Sequence, residues 1–193
     1  MKQPLKVGYR VYLSPTQPDD AWGEASFDAA ETDTGIEPDA RIPRSPITWE
    51  TLIREQGKKS PPDRLVFAVR LIEDDSWIGV VNLAEIDWIN RTAETGSFLK
   101  AGEYRGRGYG TEAKMLLLEY AFDHLHLHLL YSVVLATNER SAAALAKQGY
   151  KPAGRTRYEA VKDGVYVDDL LFDLTRDDWV AARDAWRRTL PDQ

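Results

Sequence analysis

Residues 92–136 read TAETGSFLKAGEYRGRGYGTEAKMLLLEYAFDHLHLHLLYSVVLA, and two changes of pattern within them decide the fold. Thr92 to Lys100 is a strand candidate that runs into a glycine-rich stretch, Arg105-Gly106-Arg107-Gly108-Tyr109-Gly110-Thr111. From Gly108 to about His124 the residues Tyr109, Ala113, Leu116, Leu117, Tyr120 and Ala121 recur at helical spacing. Leu130 to Ala136 is then a nearly continuous apolar run, the pattern of a strand buried on both faces. Strand, helix and strand in this order predict a right-handed parallel crossover.

Upstream, Arg64 to Glu73 and Trp77 to Trp88 flank the turn residues Asp74-Asp75-Ser76 and predict an antiparallel hairpin. Val7 to Leu13 alternates, with Val7, Tyr9, Val11 and Leu13 on one face of a first strand. A helix over Asp19 to Ala30 and another over Thr48 to Gln56 follow, the second with Trp49, Leu52 and Ile53 on its apolar side and Gly57 at its end. Between them Glu31 to Arg44, with Gly35, Pro38 and Pro43, reads as a loop. It is longer than the usual connection of about 4–6 residues, as expected of a lid or an insertion.

Downstream, Asn138 to Gln148 predicts a short helix stopped by Gly149. Arg155 to Val161 pairs with Val165 to Leu174 across Asp163-Gly164, and a last helix starts at Thr175, with Asp178 placed as in a capping box. The order β-α-α-β-β-β-α-β-α-β-β-α describes an α/β layer structure with a mixed sheet. A chain of 193 residues suits one domain over 1–193.

Composition narrows the function. No apolar run approaches the roughly 20 residues of a membrane helix. The amino terminus lacks the apolar core of a secretory signal, so a cytoplasmic address is expected. The formal charge of -6 disfavours nonspecific nucleic-acid binding and favours a cationic substrate. With no cysteine in the chain, disulfides, thiolate metal sites and a cysteine-bound acyl intermediate are all excluded.

The glycine-rich stretch carries the chemistry. Its glycines permit close backbone approach, several amides and a helix amino terminus can converge on one anion, and two arginines add charge. A diphosphate-sized ligand is the natural reading. No lysine follows Gly110, so this is not a nucleotide-binding loop of the GxxxxGK[ST] kind. Glycines at 106, 108 and 110, placed after a late strand, also miss the dinucleotide pattern GxGxxG. Coenzyme A remains.

Arg105, Gly108 and Gly110 match the pattern [RQ]xxGxG/A, and in this the chain resembles the GNAT acetyltransferase superfamily. The surrounding AETGSFLKAGEYRGRGYGTEA, with Asn138-Glu139-Arg140-Ser141, Lys147-Gln148-Gly149-Tyr150, Gly164 and Asp168, is similar to its RimJ/RimL-like branch. The likeness spans Leu65 to Leu174. It implies a mostly antiparallel sheet with a central parallel βαβ crossover and helices on both faces. Acetyl-CoA would be the co-substrate, a small-molecule or peptide amine the acceptor, and direct attack the route, without a covalent enzyme intermediate.

The resemblance also implies roles. Arg105, Gly106, Arg107, Gly108, Tyr109, Gly110 and Thr111 would hold the pyrophosphate, and Asn138 the pantetheine arm while capping its own helix. A backbone amide at Phe98 or Leu99, where the parallel strands splay, would polarise the thioester carbonyl. Glu94 in the "AExG" pattern would be the general base, with Glu159 and Asp168 as alternatives. Many relatives protonate the leaving thiolate with a tyrosine, but the corresponding position here is Leu145, which leaves Ser141. That departure keeps open a rival reading as a noncatalytic acyl-CoA-binding module.

Other features invite a function less. His124, His126 and His128 would share a face if extended, but His124 ends a helix and no metal site is expected. Trp179, Ala182, Trp186 and Leu190 follow helical spacing and read as packing or a homodimer contact. Trp22, Phe27 and Trp49 are core or acceptor-pocket wall.

Overall fold

A computed structural model describes residues 1–23, 25, 44–56, 58–100, 104–162 and 164–190. Its eight strands lie in one sheet in the order β1-β2-β3-β4-β5-β6-β8-β7. They are β1 (Lys6–Val7), β2 (Val11–Pro15), β3 (Leu65–Leu71), β4 (Trp77–Asp87), β5 (Thr92–Leu99), β6 (Leu129–Leu135), β7 (Lys151–Lys162) and β8 (Val165–Thr175). Every neighbouring pair is antiparallel except β5 and β6, which the predicted crossover joins in parallel.

The expected first strand divides in two. A turn brings the Gly8 amide to the Val11 carbonyl at 2.8 Å, and β1 folds back on β2. Val11, Tyr12, Leu13 and Ser14 are all buried, so β2 has no solvent face of the kind alternation implies. The final hairpin is longer than the pattern suggested, β7 opening at Lys151 instead of Arg155.

The helices among the described residues include α1 (Pro46–Gln56), which meets the turn at Pro18–Asp20, and α2 (Tyr109–Glu119), α3 (Glu139–Lys147) and α4 (Arg176–Arg187). The crossover helix continues from α2 through a π turn, Tyr120–His124, where the Leu125 amide donates to the Tyr120 carbonyl at 3.0 Å. His124 stacks on Tyr120 with centroids 4.9 Å apart, and His126 takes φ 55°, so the three histidines share no extended face. At α4, Thr175 accepts from the Asp178 amide. Trp179 is fully buried against Phe122, which makes it internal packing. The proposed Glu31 to Arg44 loop lies outside the described residues save for Arg44, as do Phe27, Gly57 and Asp163; the expected helix over Asp19 to Ala30 is described only to Gly23 and at Ala25.

One buried ion pair ties the start of the chain to the sheet. Arg70 on β3 donates to the Asp20 carboxylate, and further to Ser14 Oγ at 3.3 Å and the Asp75 carbonyl at 3.3 Å. Both side chains are buried, so removing one strands the other's charge. We expect Asp20→Ala to cost about 3–5 kcal/mol, read as a lowered urea midpoint with an unchanged slope.

Candidate active site

Three β5–β6 partners are in register, Thr92↔Leu129, Ala93↔Leu130 and Glu94↔Tyr131. Beyond them the strands part. Side chains stitch the mouth of the gap: Ser132 Oγ donates to the Thr95 carbonyl at 3.0 Å, and Thr95 Oγ1 donates to the Tyr131 carbonyl at 3.2 Å and lies 2.6 Å from the Tyr150 hydroxyl. Burial pushes the Tyr150 phenol up, so it stays a neutral hydrogen-bonding group.

On the far edge of β5 the ladder with β4 fixes which amides face the gap. Lys100 donates to the Ile78 carbonyl at 2.9 Å, and the Val80↔Phe98 and Asn82↔Gly96 partners continue that alternation. Amides of Gly96 and Phe98 therefore turn toward β4, and those of Ser97 and Leu99 toward the opening. Of the two residues singled out for carbonyl polarisation, Leu99 presents its backbone there, as its carbonyl accepting from Arg105 Nη2 at 3.1 Å also indicates. Phe98 lines both pockets.

A cleft of about 700 Å³ opens at this gap. Its walls include Ser97, Phe98 and Leu99 from β5, and Arg105, Gly106, Gly108, Gly110 and Thr111 from the glycine-rich turn. Asn138, Ser141 and Lys147 close it from α3. Asn138 Oδ1 accepts from the Ser141 amide at 3.1 Å, so this residue caps α3 and lines the cleft at once.

The turn has the form a diphosphate needs. Gly106 and Gly108 have φ of 77° and 85°, in the left-handed region that favours glycine. A Cβ placed on Gly106 would meet no described atom within 4 Å, so that backbone faces open space. Gly108 is the N-cap of α2 and no side chain among the described residues caps it, which leaves first-turn amides for an anion. The residues present thus fit the pyrophosphate of coenzyme A.

Arg107 and Tyr109 do not line the cleft; they meet Arg10 instead. Arg10 Nη1 donates to the Arg107 carbonyl at 2.7 Å, and its guanidinium lies 4.7 Å from the Tyr109 ring centroid. Glu112, fully buried in the first turn of α2, accepts from the Arg10 amide at 2.7 Å, the Val11 amide at 3.1 Å and Arg10 Nε at 3.2 Å. Sequence reading had no signal for this brace, because Arg10 and Glu112 lie far apart in the chain. We expect Arg10→Ala to weaken CoA binding about tenfold, as loss of one charge-assisted contact would. Titration calorimetry reads this, and unchanged affinity would confine Arg10 to folding.

A smaller pocket of about 70 Å³ lies at the same gap, lined by Glu94 with Arg64, Asn82, Lys114, Ser132 and Leu145 among others. It shares Ser97, Phe98 and Ser141 with the large cleft. Glu94 is half-buried. The alternative bases lie elsewhere: Glu159 is exposed on β7, and neither it nor Asp168 lines either pocket. Asp168 accepts from the Tyr158 amide at 2.9 Å and from Arg155, which together hold its carboxyl below the usual range and make it a poor base. Lys114, absent from the residues singled out above, is buried in this pocket's wall.

Residues 10–151 match the family description "Acetyltransferase (GNAT) domain". The putative ribosomal N-acetyltransferase YdaF of Bacillus subtilis (strain 168) is 29% identical over 140 residues, 72% of this chain and 76% of that protein. The spermidine N(1)-acetyltransferase of Escherichia coli (strain K12) is also 29% identical, over 61% of this chain and 62% of its own length. Among solved structures, Mycobacterium smegmatis RimJ in complex with CoA-disulfide superposes with a TM-score of 0.79 at 22% identity, covering 96% of this chain and 93% of that one.

Proposed function

Because this chain belongs to the GNAT acetyltransferase family and so uses acetyl-CoA, we propose that it acetylates a primary amine on a small molecule or peptide end. One observation carries the reading: the large cleft with the glycine turn and the small pocket with Glu94 meet at Ser97, Phe98 and Ser141. Donor and acceptor would approach from opposite sides of one gap. A pocket of about 70 Å³ suits a slender aminoalkyl end, such as a polyamine or an unblocked peptide terminus, and the net charge of -6 favours both as cations.

Acetyl-CoA supplies an activated acyl group, and the residues do the rest. Amides of the 106–111 turn and Arg105 hold the pyrophosphate, and Asn138 holds the arm. The Ser97 and Leu99 amides donate hydrogen bonds to the carbonyl oxygen as it gains negative charge. Glu94 removes the proton from the acceptor amine, directly or through a water, and the Ser141 hydroxyl donates a hydrogen bond to the leaving sulfur.

Thiol release from acetyl-CoA, measured with a panel of amines that includes spermidine and a peptide with a free amino terminus, tests this. Acceptor-dependent release is expected with at least one of them. CoA binding without release for any amine would return the chain to the noncatalytic reading.

A further inference from the structure

Lys114 sits on α2 in the middle of the core, 1% exposed, where its neighbours Ala113, Met115, Leu117 and Leu118 are apolar and buried. A charged group in such a place calls for a reason, since burial of an ammonium is costly unless something offsets it. Its amine lies 5.7 Å from the Tyr150 ring centroid, and the residue lines the small pocket. That pocket also holds Ser141 and Leu145, the residue that stands where related enzymes carry a tyrosine.

We propose that Lys114 meets the departing thiolate of CoA with a positive charge and supplies its proton. Ser141 orients the sulfur but its hydroxyl is a weak acid, and Leu145 cannot donate at all. Arg64 shares the pocket, but a guanidinium does not give up its proton in proteins. Lysine does, and burial pushes the Lys114 ammonium down to about 7 against the opposing pull of Glu94. An acid poised near neutral pH is the kind that transfers protons efficiently.

The groups around it are consistent with this assignment. Glu94 approaches from β5, Tyr150 covers it from the turn after α3, and Arg64 lies ahead of β3. Tyr131 on β6 has its phenol raised by burial and by the carboxylates of Glu94 and Glu85, so it stays neutral. The step balances. The ammonium proton of the acceptor passes through Glu94 to water before attack; Glu94 then takes the second proton, released as the acceptor nitrogen bonds to the acyl carbon, and Lys114 gives its proton to the sulfur, which keeps the electron pair of the broken C–S bond. Transfer from Glu94 to Lys114 then restores both.

This rests on CoA occupying the gap between β5 and β6, and the test separates the two claims. The ultraviolet absorbance of the CoA thiolate is followed against pH in the complexes of wild type and Lys114→Met. Methionine keeps the length and removes a buried charge, so the fold should survive. Ammonium and thiolate stabilise each other when they meet, so in wild type the thiolate signal should begin to rise about one pH unit lower than in the variant, where no ammonium is present. kcat should fall about 10–100-fold in Lys114→Met with the KM for acetyl-CoA held within threefold. If the variant does not fold, bound and free CoA are compared in wild type, where the bound thiol must titrate lower. Equal titration in either comparison overturns the proposal while leaving CoA binding intact; failure of CoA to bind wild type overturns the reading beneath it.

Discussion

Gly108→Val is expected to lower CoA affinity by at least about 100-fold while leaving the sheet and helices in place. Gly108 holds φ 85° and ψ -4° at the N-cap of α2. An L-residue in that region costs about 1–2 kcal/mol, and a β-branched one is worse placed still. Its Cβ would also stand 3.0 Å from Arg10 Nη2, on the guanidinium whose other terminal nitrogen, Nη1, donates to the Arg107 carbonyl. The backbone must then leave the left-handed region, and the amides at 109–111 rotate away from the cleft. Losing two amide contacts to phosphate, each charge-assisted and worth about 1.5–3 kcal/mol, accounts for the expected drop. Calorimetric titration with CoA reads the affinity and far-ultraviolet circular dichroism the fold. Gly106→Ala is the comparison: at φ 77° it meets backbone strain as well, but its Cβ has no described neighbour and is not β-branched, so a milder loss is expected. Unchanged affinity in the Gly108 variant would remove the turn from the donor site.

Which parts of this site were legible in the sequence follows from how local each signal is. The crossover was readable because α2 and β6 carry apolar residues at periods that differ, and the glycine turn because its spacing is a property of seven consecutive residues. Residues 92–100 look uniform as a strand, yet β6 pairs with 92–94 alone and the gap beyond is a tertiary fact. The same holds for β2. Its alternation suggested a solvent face, whereas cover on both sides comes from elements distant in the chain. Lys114 and Glu112 carry no signal in the sequence because charged residues on a helix are usually solvated, and only packing shows these two buried. Which amides face the gap was likewise invisible, since a one-residue shift in ladder phase exchanges Phe98 for Leu99.

Glu94→Gln is expected to lower kcat by about 10²–10⁴-fold, the range that general-base catalysis contributes. Glutamine keeps the size of the side chain and cannot take a proton, so the KM for acetyl-CoA should stay within about threefold: Glu94 lines the small pocket and not the large cleft. The pH dependence carries the sharper test. An alkyl ammonium acceptor has a pKa near 10.4, so at neutral pH nearly all of it is protonated and the base must remove that proton before attack. As pH rises toward that value the acceptor arrives as free amine and the base matters less. The ratio of wild-type to variant kcat should therefore shrink steadily from pH 7 to pH 10. Asp168→Asn supplies the contrast. Its carboxyl is tied to the Tyr158 amide and Arg155, and its loss should loosen the β7–β8 hairpin without a pH-dependent change in that ratio. A Glu94 variant whose deficit is the same at both ends of the range would make this carboxylate a contributor to acceptor binding, and the base would have to be sought elsewhere along the gap.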